Sequence, residues 1–216
     1  LSLVFDNSVP HGDDKAERLA CSAAPGEAES MTLAAYALRD LKGVNIEVTD
    51  LVGSTQQDRI PASQIEIHLA RGMYKRLPWR GPSTASLIAA AVPGRKEREF
   101  MYMPSLLSSE TSVDMAAGES VWYWVTVHIP DSAGPGRYSG RLTVLADGQK
   151  KASLPVEVDV RPVRLEELSD YTIGYYDYVD HYTLPSWSVR ERFVSMRAYG
   201  MTSVCIIVTD APRIGV

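Results

Sequence analysis

The sequence has few of the residues from which metal sites and disulfide frameworks are built. Its 216 residues include two cysteines and four histidines. Cys21 and Cys205 are far apart, and neither has a cysteine or histidine at metal-ligand spacing. Asp180 next to His181 is the pairing closest to a metal site, yet the other histidines lie far away in the sequence. We expect two buried, unpaired thiols, no metal site and no cofactor.

An excess of positive charge and long apolar runs are also missing. The chain carries 22 Lys and Arg residues against 27 Asp and Glu residues, so nucleic acid is disfavoured as a partner. Residues 85–92 form the longest apolar run, far short of the about 20 residues that cross a bilayer. No basic segment precedes an apolar stretch at the N-terminus. The start at Leu1 is compatible with a removed signal peptide, which favours export over the cytoplasm but leaves localisation open.

Short alternating apolar runs dominate residues 33–160. Apolar residues at 44, 46 and 48, and again at 65, 67 and 69, alternate with other residues, which is typical of half-buried strands. Residues 121–129 are bulky on both faces and predict a central strand. Asp147 and Gly148 predict a tight turn, and Pro155 predicts an edge position or a bulge. The pattern predicts two packed antiparallel sheets over about residues 20–162, within a domain spanning residues 1–165.

Two features of this domain leave alternatives open. Residues 76–98 are rich in Pro, Gly and Ser and are long enough for either an ordered excursion or a mobile flap. Trp122 and Trp124 share one face of the central strand, where they form either a platform for sugars or part of the core. We favour the core, and expect one of the two tryptophans between the sheets together with Val125 or Val127.

The pattern changes after Pro162. Residues 172–178 predict an aromatic strand, residues 188–199 a helix ended by Gly200, and residues 202–209 a buried strand. Val189, Phe193 and Met196, and potentially Val194, give the helix an apolar stripe. The order is that of a β-α-β unit with parallel strands and a right-handed crossover. We therefore expect residues 166–216 to be the start of an unfinished α/β domain, with either homodimers formed through its uncovered surface or a frayed C-terminus.

Several short motifs follow one another in the order of a known domain. They are residues 23–27 (Ala-Ala-Pro-Gly-Glu), 31–33 (Met-Thr-Leu), 38–41 (Leu-Arg-Asp-Leu), 117–122 (Ala-Gly-Glu-Ser-Val-Trp) and 130–140, which contain Pro-Gly-Arg-Tyr-Ser-Gly. Together they resemble the β-sandwich domain that precedes the catalytic barrel in proteins similar to glycoside hydrolase family 123.

The resemblance implies that residues 166–216 are the start of a (β/α)8 barrel, and that this barrel hydrolyses β-linked N-acetylgalactosamine with help from the substrate's acetamido group. An adjacent Asp-Glu pair does this chemistry in the family. This sequence has acidic neighbours at Asp13 and Asp14 and at Glu166 and Glu167, outside the predicted barrel strands. We therefore assign no catalytic residue and expect the 216-residue chain itself to be inactive.

Substrate contacts are expected where the predicted barrel strands end. Aromatic rings suit the faces of sugars, and carboxylates suit their hydroxyl groups. The candidate substrate-binding residues are Tyr176, Asp177, Asp180, His181 and Asp210. Alternatively, the tyrosines pack between domains and the aspartates cap turns.

Two functions from different classes remain. The chain is either the N-terminal part of a β-N-acetylgalactosaminidase-like glycoside hydrolase or a non-catalytic sandwich module that binds a glycan or a protein partner. Serine-hydrolase and nucleotide-binding motifs are absent, which disfavours those enzymes. In both cases carbohydrate is the leading partner, and neither nucleic acid nor membrane is expected.

Overall fold

The computed structural model describes residues 4–55, 58–76, 100–166, 171–177 and 186–206. The chain divides into two compact units, Leu1–Leu165 and Glu166–Val216. Most of the predicted loop at residues 76–98 lies outside the described residues. No helix within the described ranges is long and apolar enough to cross a membrane.

The first unit is built from strands, with short 3₁₀ turns at Gly12–Asp14 and Ala62–Gln64. In chain order its described strands are β1 (Leu19–Ala23), β2 (Ala28–Tyr36), β3 (Leu41–Val48), β4 (Leu51–Val52), β5 (Arg59–Ile60), β6 (Ile65–Arg76), β7 (Phe100–Ser108), β8 (Val113–Met115), β9 (Ser120–His128), β10 (Gly136–Ala146) and β11 (Gln149–Val160).

These strands form two sheets. The larger has the order β1-β11-β10-β3-β8, with β4 paired to β10 and to β5. The smaller has the order β2-β9-β6-β7, and its neighbours are all antiparallel. The mostly β, largely antiparallel fold is as predicted. The exception is β1, which runs parallel to β11.

One hydrophobic cluster joins the inner faces of both sheets. The larger sheet contributes valines 156, 158 and 160 from β11, and the smaller sheet contributes Tyr123, Val125 and Val127 from β9. Burial of such side chains contributes about 1.5–3 kcal/mol each, so this cluster is the main source of stability. The first unit is therefore a β-sandwich with its core between the sheets.

The prediction for the tryptophans of β9 is wrong about their side of the sheet. Tyr123, Val125 and Val127 have no exposed surface and face the core. Side chains alternate along a strand, so Trp122 and Trp124 point to the outer face of the smaller sheet. β9 lies between β2 and β6, as expected for a central strand.

Tyr123 also links the two sheets through a hydrogen bond. Its hydroxyl donates to the carbonyl oxygen of Val44 on β3 at 2.9 Å and lies 3.2 Å from that of Thr111. Burial raises the pKa of Tyr123 to about 12, and the positive charge of Arg71 opposes this effect. The buried hydroxyl therefore stays protonated and satisfied.

The β2–β9 pair is closed at both ends by the same kind of turn. Residues 24–27 (Ala-Pro-Gly-Glu) lead into β2, and residues 116–119 (Ala-Ala-Gly-Glu) lead into β9. Each glycine has a positive φ, 82° at Gly26 and 87° at Gly118. The following glutamate accepts the backbone N–H three residues earlier, at 2.8 Å for Glu27 and 2.7 Å for Glu119. Two of the motifs behind the family resemblance are therefore structural turns.

The hairpin between β10 and β11 turns at Asp147 and Gly148, as predicted. Both residues have a positive φ, 53° and 68°, which a two-residue hairpin of this type requires. The Asp147 carboxylate accepts the backbone N–H of Lys42, and this bond, followed by the bond from Lys151, lowers the pKa of Asp147. Pro155 lies before the stretch of β11 that pairs with β1, so it occupies an edge position there.

Cys21 on β1 is a free, half-buried thiol. Burial, and then the charges of Glu29 and Glu27, raise its pKa to about 11. The thiol is therefore protonated at neutral pH and unreactive, in line with the structural role expected for it.

The second unit contains β12 (Gly174–Asp177), α1 (Ser186–Ala198) and β13 (Ser203–Ile206) among its described residues. β12 and β13 pair in parallel, with Tyr176 opposite Cys205. Gly200 has a φ of 82° and ends the helix, as predicted. Phe193 and Met196 are half-buried, whereas Val194 is exposed and does not belong to the apolar stripe.

Candidate functional site

The predicted substrate-binding residues fall on the second unit, which the structure describes in part. Tyr176 and Asp177 are the last two residues of β12, and Asp177 pairs with Ile206 of β13. Asp180, His181 and Asp210 lie outside the described residues. Tyr176 and Asp177 thus lie at the C-terminal end of β12, and the role in substrate binding of all five residues stays a prediction.

At the opposite end of this sheet, Thr202 has a role that the sequence analysis missed. Its Oγ1 accepts the backbone N–H of Ile173 at 2.9 Å and lies within 3.3 Å of the carbonyl oxygens of Tyr171 and Ile173. A threonine before a β-branched run carries no signal for a contact 29 residues away.

The two acidic pairs of the sequence lie in a short turn near the N-terminus and at the start of the second unit. Asp14 accepts the backbone N–H of His11 at 2.6 Å within an exposed 3₁₀ turn. Glu166 is exposed, and Glu167 lies outside the described residues. In the part of the chain that the structure describes, no group of three His, Cys, Asp or Glu residues is arranged to hold a metal ion.

Four aromatic side chains lie on the outer face of the smaller sheet, and we name them the outer aromatic surface: Tyr74, Tyr102, Trp122 and Trp124. They form two edge-to-face pairs. The ring centroids of Trp122 and Trp124 are 5.9 Å apart, and those of Tyr74 and Tyr102 are 5.2 Å apart. Trp122 is 9% exposed and Tyr74 is 74% exposed, so the solvent exposure of these rings ranges from nearly none to most of the side chain.

Small residues surround these rings. Trp122 lies between Ala34 on β2 and Ala70 on β6 in the strand register. The ring of Tyr102 packs over Gly72, where a side chain would collide with it. Because alanine and glycine project so little from the sheet, the outer face is low on both sides of Trp122, although the ring of Trp122 is itself nearly covered.

A cavity of about 150 Å³ continues this surface beneath the N-terminal segment. Its lining includes Trp122, Tyr102 and Gly72 of the smaller sheet, together with Phe5 of the N-terminal segment and Glu119. Ligand pockets typically measure about 300–1,000 Å³, so this cavity has room for a group no larger than about one sugar ring.

Hydrogen-bonding groups flank Trp124 on the same face. It lies opposite Thr32 on β2 and His68 on β6. One pair along from it, the hydroxyl oxygens of Ser30 and Thr126 are 2.9 Å apart. The surface therefore presents apolar rings beside polar groups.

The charged groups near these rings are paired with one another. The carboxylate of Glu66 lies 3.4 Å from Nε2 of His68 and 3.1 Å from Nε2 of His128. Arg71 pairs with Glu110 at 3.1 Å. Each of these charged groups therefore already has a partner on the sheet.

Comparison with known proteins gives one family model, described as the glycoside hydrolase 123 N-terminal domain, which matches residues 5–146. No curated protein matches the chain. Among solved structures, the chain is similar to a family 123 glycoside hydrolase from Clostridium perfringens, reported in a study of glycolipid glycan hydrolysis. The TM-score is 0.72 at 15% identity, over 94% of this chain and 36% of that one. This chain thus spans little more than a third of that enzyme's length.

Two further structures are less similar. PapD-like domain 7 of human CEP192 has a TM-score of 0.37 at 10% identity, over 68% of this chain and 84% of that one. The N-terminal domain of PorA has a TM-score of 0.30 at 10% identity, over 68% of this chain and 92% of that one.

Proposed function

Because the chain belongs to the family of glycoside hydrolase 123 N-terminal domains, we propose that it is the N-terminal sandwich of a carbohydrate-cleaving enzyme, followed by the first part of its catalytic barrel. The observation that carries the proposal is the family match over residues 5–146. The likeness in fold to a family 123 glycoside hydrolase over 94% of the chain supports it.

The barrel part of the proposal concerns residues 166–216. The parallel pairing of β12 with β13, with α1 between them in the chain, supports it, because (β/α)8 barrels are built from such units. Barrel enzymes place their active sites at the C-terminal ends of the strands. We therefore propose that Tyr176, Asp177, Asp180, His181 and Asp210 contact the sugar.

The proposed reaction of the whole enzyme is the hydrolysis of terminal β-linked N-acetylgalactosamine from the glycans of glycolipids. The sandwich itself contributes no acid or base in this proposal. Glu27 and Glu119 act as turn acceptors, and the carboxylates of Asp114 and Asp147 are bonded to lysines. Such groups are held in fixed hydrogen bonds and are unsuited to proton transfer.

We also propose that copies of the chain associate through the second unit. The exposed apolar side chains of Tyr171, Ile173 and Val194 support this. Light scattering of the pure chain should give the mass of a dimer, and a monodisperse monomer would contradict the proposal.

The test of the enzymatic proposal uses a polypeptide from the same gene that includes a complete barrel. It should release N-acetylgalactosamine from an aryl β-N-acetylgalactosaminide and from a glycolipid glycan that ends in this sugar. Replacement of Asp177 by Asn should raise KM, with less effect on kcat, if the carboxylate binds a sugar hydroxyl. No hydrolysis of either substrate would favour the alternative, a non-catalytic module.

A further inference from the structure

We propose that the outer aromatic surface of the sandwich is a binding site for a neutral oligosaccharide. The proposal rests on the proposed function, since it assumes that the protein acts on glycans. It assigns glycan binding to the first unit, in addition to the proposed role of this unit as the domain that precedes a catalytic barrel.

The exposure of the rings is the first argument. Tyr74 is 74% exposed and Tyr102 is 39% exposed, while Trp124 is half-buried. Large aromatic side chains of this kind normally lie inside a sandwich, where β9 already places Tyr123. Aromatic rings that are exposed on the outer face of a sheet can stack against the C–H faces of sugars.

The second argument is the depth of the surface. Ala70 and Gly72 on β6 form a low floor between the tryptophans on β9 and Tyr102 on β7, and both also line the cavity. We expect one sugar ring to stack on the face of Trp124 and a neighbouring sugar to lie near Tyr102.

The third argument concerns polarity and identifies the class of ligand. Hydroxyl groups of Ser30, Thr32 and Thr126 and the imidazole of His68 lie on the same face as Trp124. Ser30 and Thr126 bond to each other, and the ring nitrogens of His68 bond to Ser108 and Glu66. In a pair of hydroxyl groups only one O–H donates to the other, so an apolar protein face would bury the second O–H without an acceptor, which costs free energy. Sugar hydroxyls both donate and accept hydrogen bonds and therefore match them.

The fourth argument concerns charge. Glu66 is flanked by two histidines, and Arg71 is paired with Glu110. A charged ligand would have to compete with these partners, whereas a neutral ligand leaves them in place. The surface therefore fits a neutral oligosaccharide better than a sulfated or uronic-acid-containing one.

The test is titration calorimetry of the whole 216-residue chain with two soluble probes, chitohexaose and maltohexaose. We expect the chain to bind at least one of them. Trp124→Ala should weaken this binding by about tenfold or more, the scale expected when one aromatic contact is lost. Trp124→Phe should keep most of the affinity because it keeps a ring. Tyr102→Ala should also weaken binding.

Tyr199→Ala is the matched control, because Tyr199 is 81% exposed and lies on the second unit. It should bind like the unchanged chain, and thermal unfolding of every variant shows whether it is folded. Absence of binding to both probes at millimolar concentrations overturns the proposal. It is also overturned if Trp124→Ala binds as tightly as the unchanged chain, or if Tyr199→Ala loses as much affinity as Trp124→Ala. The experiment measures binding without hydrolysis, so its failure leaves the enzymatic proposal standing, and an inactive longer polypeptide leaves the binding result standing.

Discussion

Tyr123 makes a contact between the sheets that a phenylalanine could not. Its ring belongs to the core, and its hydroxyl donates to the carbonyl oxygen of Val44. Tyr123→Phe leaves this buried carbonyl without its donor, so we expect a loss of about 1–2 kcal/mol in the free energy of unfolding. Urea denaturation measures the change, with Tyr199→Phe, on an exposed tyrosine, as the control. An unchanged midpoint for Tyr123→Phe would contradict the role of this bond.

The same residue gives the protein a dependence on alkaline pH. The pKa of Tyr123 is about 12 in the folded state against 10.0 for an ordinary tyrosine. The folded state therefore keeps this proton at a pH where the unfolded state loses it. The stabilisation is complete below pH 10 and is lost as the pH rises towards 12. The stability difference between the unchanged chain and Tyr123→Phe should shrink over this interval.

Single residues of the core were only partly predictable from the sequence. Alternation in β9 indicates that Tyr123, Val125 and Val127 share one face, and that the tryptophans share the other. Size favoured the tryptophans for the core, because large aromatic residues usually contribute most to it. The β-branched valines, which suit a packed inner face, were the better signal.

At the scale of elements, the two turns at the ends of the β2–β9 pair should act independently. Glu27→Ala and Glu119→Ala each remove one carboxylate acceptor from a backbone N–H, which should cost about 1 kcal/mol each. The turns lie at opposite ends of nine-residue strands, so the double variant should lose about the sum. Chemical denaturation of the three variants tests this, and a clearly non-additive double variant would show that the turns are coupled.

The close approach of β10 to the chain before β4 depends on Gly140. A Cβ atom there would lie 2.7 Å from the carbonyl oxygen of Asp50 and would also press on Leu51. Gly140→Ala should therefore destabilise the sandwich by about 1–3 kcal/mol, the range typical of overpacking. Gly12→Ala is the control, since nothing lies within 4 Å of its Cβ position. Equal midpoints in thermal unfolding for the two variants would refute this account of Gly140.

Most strands with strong patterns were predictable, and β1 was not. The periods of β3, β6 and β9 and the Asp147–Gly148 turn identified their elements directly. The β1 sequence, Leu-Ala-Cys-Ser-Ala, has small residues with low strand propensity. It becomes a strand because β11 offers it a parallel partner over five residues, a long-range contact that no local pattern encodes.

At the scale of the whole molecule, the sequence indicated the order of the two units better than it indicated the outer aromatic surface. The change of pattern after Pro162 comes shortly before the boundary between the two compact units, Leu1–Leu165 and Glu166–Val216. The outer aromatic surface, in contrast, combines residues from β6, β7 and β9. Its geometry depends on strand pairing across dozens of residues, so the sequence pointed to Trp122 and Trp124 without indicating Tyr74 and Tyr102.

The central claim is that these 216 residues support a glycosidase without containing its catalytic groups. It is tested most directly by the release of nitrophenol from an aryl β-N-acetylgalactosaminide by the pure chain, compared with a longer polypeptide that includes the whole barrel. We expect no release above the rate without protein from the chain, and turnover by the longer polypeptide. Nitrophenol release by the chain itself, lost when Asp177 is replaced by Asn, would contradict the claim.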